Sequence, residues 1–314
     1  MEATLDSEAL KTFVAIHRAN GFSNAAEQLH RSQPAISRRI ALLEAELGAP
    51  LFDRVAGGVV LSQAGRVLLP HAERVLAALK DAGQALADIK SDGAGPVSLA
   101  VVGTLASTGL TQVLMRFRVQ FPKTALSLRT ATSAEVSEIV RRGEAEIGLR
   151  YFDDGSGDLI GEALQAEKLV VACAARHALA GKSVRGLAVL KGETWLAFAL
   201  AGGRSEMSAT HIQAQFLARG IGGFRSLSVD SLTAQKRLVE AGFGIALVPE
   251  SSIVEERAAK TLATIRVGDL KAVNPVFAIV RRNGYLNTAS LRLLDILRSR
   301  GEQRPAARIT RRRR

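Results

Sequence analysis

The side chains best suited to chemistry with a partner molecule stand between Arg31 and Arg39. Gln33, Ser37 and Ala41 recur at every fourth residue, with Pro34 and Arg38 beside that stripe. In a helix this spacing puts them on one face. The face is short, uncharged at its tip and rich in hydrogen-bond formers, a combination that suits a helix whose first turns read base edges in the major groove. Enzymatic chemistry finds no comparable support. Gly181-Lys182-Ser183 looks like the end of a phosphate loop, but the glycine required five residues earlier is Arg176. Gly242-Phe243-Gly244 lacks the third glycine of a dinucleotide fingerprint and falls between helix and strand in the wrong order. His17, His30, His71, His177 and His211 show no metal-ligand spacing with one another or with Cys173. Cys173 lies in an apolar strand and reads as a buried structural thiol rather than a nucleophile. No catalytic residue, metal or cofactor is expected.

The elements that would hold the polar face follow from Phe22 to Leu51. A first short helix is predicted from Ser23 to His30, with Ser23 as N-cap and Ala25, Ala26 and Leu29 at helical spacing. The adjacent alanines let a second helix cross closely. His30 and Arg31 make the turn, Ser32 caps the second helix, and Pro34 fits its first turn, where a missing N–H costs nothing. Ile36, Ile40, Leu43 and Leu47 form the buried stripe of that helix. An ordinary helical hairpin would read the same way to this point. After Gly48, Pro50 stops the helix, and Leu51–Val55 and Val59–Leu61 flank Ala56-Gly57-Gly58, the pattern of a β-hairpin. A hairpin directly after a reading helix is a wing, and it sets Arg54 where a wing meets phosphate. A preceding helix, Leu5 to Arg18, offers Leu10, Phe13, Val14 and Ile16 as packing beneath the other two.

A long helix is predicted from its N-cap Ser62 to about Lys90. Leu68, Val75, Ala82 and Ile89 repeat every seven residues, with Ala72, Leu79 and Leu86 four beyond the first three, making one narrow apolar seam. Packing on its own domain is one use of that seam. A dimer is the better match, because the polar remainder leaves the helix too exposed to stand alone. Ser91 to Pro96 reads as a linker. Strand-like and helical runs then alternate. Val97–Val102, Ala125–Thr130 and Ile147–Arg150 are strands separated by helices over Leu105–Phe121 and Ala134–Arg142, a βαβαβ unit that implies a parallel sheet. Further strands are expected at Leu169–Ala174, Thr194–Phe198, Ile245–Val248 and Val276–Arg281. Further helices are expected at Met207–Arg219, Ser231–Ala241 and Thr288–Arg300.

The 314 residues carry a formal net charge of +12, which invites a nucleic-acid partner. Residues 1–66 are nonetheless neutral, seven basic against seven acidic, so any basic patch there is local. The last fourteen residues hold six arginines against Glu302. That segment reads as a disordered tail that adds non-specific DNA affinity or serves only solubility. A single cysteine excludes an intramolecular disulfide and agrees with a reducing, cytoplasmic setting. The first ten residues lack an apolar signal core, and no run of about 18 apolar residues indicates a membrane span.

AAEQLHRSQPAISRRIALLEAELGAPLF followed by VVLSQAG resembles the DNA-binding domain of LysR-type transcriptional regulators over about the first quarter of the chain. Gly21 departs from the serine usual there. GPVSLAVVGTLAS, FPKTALSLRTATSAE with RRGEAEIGL, and LVEAGFGIALVPE resemble, more loosely, the effector-binding domain of that family, and His177–Ala180 echoes its His-Pro-Leu-Ala with Ala178 in place of proline. The resemblance implies an N-terminal winged helix-turn-helix (1–62), a linker and dimerisation helix with a hinge (63–95), and a two-lobed α/β effector domain built like a periplasmic-binding-protein (96–302). Lobe one would be 97–163 with 268–302, lobe two 164–267, and the basic tail 303–314. It further implies Ser32, Gln33, Pro34, Ser37 and Arg38 in the groove, with Arg31, Arg39 and Arg54 nearer phosphate.

Ligands in open α/β sheets sit at the carboxyl ends of strands against helix N-termini. Gly103-Thr104, Thr132-Ser133 and Arg150-Tyr151 fall there, and family position supports Thr104, Thr132 and Ser133. Phe198, the loop from Ala201 to Arg204, and Val229-Asp230-Ser231 should face the same cleft from lobe two. Hydroxyls, helix-start N–H groups and one arginine suit a small anionic metabolite. Helix capping would explain each Thr and Ser equally well, and a surface salt bridge would explain Arg150. The expected partners are therefore double-stranded DNA at a pseudo-palindromic promoter site, a small effector and further copies of the chain as dimer or tetramer, with RNA polymerase a further candidate and no membrane. Two rivals stand beside an effector-controlled regulator. An architectural DNA-binding protein leaves the α/β region without a role, and an α/β solute-binding protein or enzyme leaves the first quarter without one.

Overall fold

A computed structural model describes residues 5–56, 58–89, 95–106, 109–198, 200–201, 204–205, 207–223, 225–270 and 273–302. The arginine-rich tail, Gly57, Gly202 and Gly203 lie outside the described residues. The chain forms two compact units, one built on the segment up to Ser91 and joined by 141–144 and 283–285, the other on the remainder.

The first unit holds α1 (Ser7–Ala19), α2 (Phe22–Gln28), α3 (Gln33–Leu47), β1 (Phe52–Val55), β2 (Gly58–Leu61) and α4 (Gln63–Ile89). Asp6 caps α1 by accepting from the Ala9 N–H, and Asn20 ends it in the left-handed region. Leu10, Phe13, Val14 and Ile16 are all buried beneath α2 and α3, as their spacing predicts. Two boundaries differ from the sequence reading. The short helix starts at Phe22 with Gly21 as N-cap, so Ser23 lies inside it. It ends at Gln28, and His30 takes φ +51° to turn the chain into α3. Ile36, Ile40 and Leu43 are buried and Leu47 is half-buried. Gly48 closes α3 at φ +67°, a conformation that side-chain-bearing residues adopt at a cost.

β1 and β2 pair antiparallel, Phe52 opposite Leu61 and Val55 opposite Gly58. Phe52 is wedged between Phe13 and Phe22, ring centroids 5.3 and 5.8 Å away, which ties the hairpin to the helical core. Ser62 starts α4 as predicted, its hydroxyl donating to the Pro50 carbonyl at 2.5 Å and accepting from the Gly65 N–H at 3.0 Å. α4 packs so tightly here that a Cβ on Gly65 would stand 2.2 Å from the Leu51 carbonyl oxygen. Farther along, Ala72 is buried, whereas Val75, Leu79, Leu86 and Ile89 are 44, 51, 66 and 77 % exposed.

The second unit is α/β. Its elements are β3 (Val97–Val102), α5 (Gly103–Ala106), α6 (Leu110–Gln120), β4 (Leu126–Ala131), α7 (Ser133–Arg141), β5 (Ile147–Tyr151), β6 (Leu159–Ala174), β7 (Ser183–Val184), β8 (Thr194–Phe198), β9 (Leu200–Ala201), β10 (Arg204–Ser205), α8 (Met207–Leu217), β11 (Arg225–Val229), α9 (Leu232–Ala241), β12 (Ala246–Pro249), α10 (Val254–Ala258), β13 (Leu262–Val267), β14 (Val273–Arg281) and α11 (Thr288–Glu302). β3 runs parallel to both β4 and β5, the predicted βαβαβ arrangement. The single helix expected over Leu105–Phe121 is instead α5 and α6, because Gly109 takes φ +82° immediately before α6.

β6 links the two lobes. Its first ten residues pair antiparallel with β14, and its end pairs with β12 and β13. The strand thus passes through residues 163 and 164, where the sequence had suggested a division. Lobe one buries Phe117, Val136, Ile147, Ile279 and Leu293 between its sheet and helices. Lobe two closes around Trp195, set edge-on to Phe216 at 5.6 Å, with Leu187, Ile212 and Ile245.

Candidate DNA-reading helix and ligand cleft

The buried stripe of α3 dictates what its other side presents. With Ile36, Ile40 and Leu43 turned into the core, Arg31, Ser32, Gln33, Pro34 and Arg38 are exposed at the helix start, and Ser37 is half-buried. Ser32 holds the N-cap position in extended conformation, and its side chain makes no capping bond. Gln33 Nε2 donates to Ser37 Oγ at 3.0 Å. That bond uses one amide hydrogen and leaves Gln33 Oε1, the second amide hydrogen and the Ser37 hydroxyl hydrogen for base edges. Arg31 and Arg38 have no ion-pair partner among the described residues. Arg39 differs: it is half-buried and approaches Glu8 Oε2 of α1 at 3.5 Å. The Lys11 hydrogen bond and charge hold the Glu8 carboxyl below its ordinary range, and Arg39 contributes to that. Arg39 therefore stands toward α1. Arg54 lies in β1 opposite Val59, and its side chain is outside the described residues. Glu44, which the sequence did not single out, accepts from the Leu51 N–H at 2.6 Å and the Phe52 N–H at 3.4 Å, anchoring the wing to the reading helix.

In the α/β unit a cavity of about 480 Å³ opens between the lobes. Thr104, Thr132, Ser133, Tyr151, Phe198 and Asp230 all line it, together with residues the sequence did not mark: Glu135, Gln235, Lys236 and Asn274. Strand ends converge here: Val102, Ala131 and Phe198, the last residues of β3, β4 and β8, all line the cavity. Thr132 and Glu135 form a reciprocal capping box, Glu135 Oε2 accepting the Thr132 N–H at 2.9 Å and Thr132 Oγ1 the Glu135 N–H at 3.2 Å. The Thr132 hydroxyl is thus committed to the helix start. Ser231 caps α9 through the Ala234 N–H. The first-turn N–H groups of Ser133 and Ala134, and of Leu232 and Thr233, have no intrahelical acceptor and belong to helix starts on the two sides of the cavity. Beneath them runs a polar chain. Tyr151 Oη donates to Glu167 Oε2 at 2.9 Å, so its oxygen accepts from the Thr104 hydroxyl at 2.9 Å, and Ser251 donates to Glu167 Oε1 at 3.1 Å. Lys236, the one cation among the described lining residues, pairs with Glu256 at 2.5 Å.

Arg150 does not line the cavity. It is 13 % exposed, with its guanidinium donating to Asp154 at 2.5 Å and to Ser137 Oγ at 2.9 Å, the salt bridge that was its alternative reading. The backbone of Arg204 lies in β10, and its side chain is outside the described residues. The missed residues lay on elements whose inward faces a linear reading does not reveal: Asn274 precedes the predicted start of its strand, and Gln235 sits on the second turn of α9.

A winged helix-turn-helix followed by a two-lobed α/β module with a cleft between the lobes defines a DNA-binding protein with a ligand-binding module. The comparisons with known proteins agree. Residues 7–66 match the bacterial regulatory helix-turn-helix protein model of the lysR family, and residues 90–302 match the LysR substrate binding domain. The chain belongs to the LysR family of transcriptional regulators. It is 27 % identical to the HTH-type transcriptional regulator CbbR of Rhodospirillum rubrum over 92 % of this chain and 95 % of that protein. It is 26 % identical to the RuBisCO operon transcriptional regulator of Allochromatium vinosum over 90 % of this chain and 91 % of that one. Full-length CbnR in complex with its target DNA superposes with a TM-score of 0.64 at 27 % identity, covering 94 % of this chain and 99 % of CbnR. Its family and relatives are regulators, not enzymes. Among the described residues, no helix is long and apolar enough to cross a membrane.

Proposed function

We propose that this LysR-type regulator reads a pseudo-palindromic promoter site in the cytoplasm as a homodimer or homotetramer, with Gln33, Pro34, Ser37 and Arg38 of α3 in the major groove. Ser32 joins them in the groove, and Arg31 and Arg54 serve the adjoining backbone. Arg39 is assigned instead to the α1–α3 contact, since Glu8 holds it there. The observation that carries this reading is the start of α3, exposed and hydrogen-bonding on the side opposite Ile36, Ile40 and Leu43. The exposed apolar seam of α4 supports pairing with a second copy, and CbnR, to which this chain is similar over nearly its whole length, forms a complex with its target DNA. Two reading heads one helical turn apart would then require a site with matching symmetry. The effector lies in the interlobe cleft, with Thr104, Ser133, Phe198 and Asp230 among its contacts, and an anionic group is favoured by the two helix starts. Its binding shifts the balance between arrangements of the assembly and so changes how the heads engage or bend DNA.

The test is a footprint on the DNA upstream of the protein's own gene, comparing wild type with Gln33→Ala/Ser37→Ala at fixed salt and with competitor DNA. A discrete protected region lost in the double variant is the expected result. Equal, salt-sensitive binding everywhere by both proteins would reject reading by α3.

A further inference from the structure

Two amide side chains in the cleft are left incomplete. Asn274 is 7 % exposed and lines the cavity, and its Oδ1 has no hydrogen-bond partner among the described residues. Gln235, 1 % exposed, also lines it; Nε2 donates to the Leu196 carbonyl at 2.7 Å, which fixes the amide and leaves Oε1 without a partner among the described residues. A buried acceptor without a donor is costly, so such groups persist where something else completes them. The two belong to different parts of the cleft wall: Asn274 is the second residue of β14, opposite Glu167, and Gln235 is on α9.

The charges around them narrow what the missing donor is. Both acceptors are neutral amides. Glu167, the buried carboxylate nearby, already accepts from Tyr151 and Ser251, and Glu135 is held in its capping box. With the acceptor oxygens of these carboxylates already engaged, a hydroxyl completes an amide oxygen without placing a further charge at this depth. The first-turn N–H groups of α7 and α9 meanwhile ask for an anion. We propose that the effector is a hydroxylated anion, a hydroxy-carboxylate or a polyol phosphate, whose charge meets the helix starts and whose hydroxyls donate to Asn274 Oδ1 and Gln235 Oε1. This rests on the interlobe cleft being the effector site and adds the class of compound that it takes.

Calorimetric titration of the full chain with four probes tests this: glycerate against propionate, and glycerol phosphate against propyl phosphate. Glycerate and glycerol phosphate are expected to bind about a hundredfold more tightly than their deoxygenated partners, about tenfold for each of the two hydrogen bonds to an otherwise unpaired buried group. Whichever headgroup binds more tightly identifies the carboxylate or the phosphate as the source of the charge. In Asn274→Leu the preference should shrink severalfold while propionate and propyl phosphate bind as before. Equal binding of each hydroxylated and deoxygenated pair by the wild type, a comparison that needs no variant, would overturn the hydroxyl requirement and leave the cleft as an anion site. Binding of none of the four would overturn both.

Discussion

The seam of α4 permits a quantitative prediction. Leu79 is 51 % exposed, midway along a row in which Val75, Leu86 and Ile89 are 44, 66 and 77 % exposed. Leu79→Ala removes three carbons, worth about 2.4 kcal/mol if all their surface were buried on association, at roughly 0.8 kcal/mol per carbon. About half of that surface is already covered within the chain, leaving about 1.2 kcal/mol per protomer. In a two-fold pair each substitution counts twice, giving about 2.4 kcal/mol, or roughly a 60-fold weaker dissociation constant. Sedimentation velocity over a concentration series reads this directly, with circular dichroism to confirm that the helix is intact. One association step should weaken by that factor, and DNA affinity should become more concentration-dependent. If every association step matches the wild type, α4 does not carry a pairing surface.

Other perturbations follow from packing and charge. Gly65→Ala would drive a methyl into the Leu51 carbonyl oxygen, 2.2 Å from the added carbon, and should cost about 2 kcal/mol in a denaturant melt. Asp154→Ala should destabilise the chain by about 3 kcal/mol, because it leaves the Arg150 guanidinium largely buried with only Ser137 for company, yet should leave binding in the cleft unchanged. Burial pushes the Cys173 thiol up to about 11 from an ordinary value of 9.0, and Glu193 adds to the rise. The unfolded chain loses this proton first, so the group's contribution to stability is intact below about pH 9 and is lost between about pH 9 and 11, a slope that Cys173→Ala should remove. Native protein should also resist thiol reagents that label the unfolded chain at once; rapid native labelling would contradict the burial of Cys173.

The local elements were legible because they rest on short-range physics. Ile36, Ile40 and Leu43 repeat at helical spacing, so the opposite face of α3, from Gln33 to Arg38, is exposed by elimination. Ser62 and Ser231 cap their helices through bonds to residues three positions on, and strand Val97–Val102 ends where its apolar run meets Gly103. Sterics at single residues were less visible: Gly109 splits one predicted helix, and His30 at φ +51° shortens another.

The tertiary structure alone decided what meets what across long separations. Arg150 sits at a strand end as a ligand-binding residue would, and only the return of the chain at Asp154 and the approach of Ser137 turn it aside. Arg39 reads in the sequence as a residue near phosphate, and only the placement of α1 brings Glu8 within reach of it. Asn274 and Gln235 share a cleft because β6 runs through both lobes and pairs with strands from distant parts of the chain. Periodicity tells which face of an element is buried. It does not tell which other element covers that face, because that depends on the sum of many weak contacts between residues far apart in sequence.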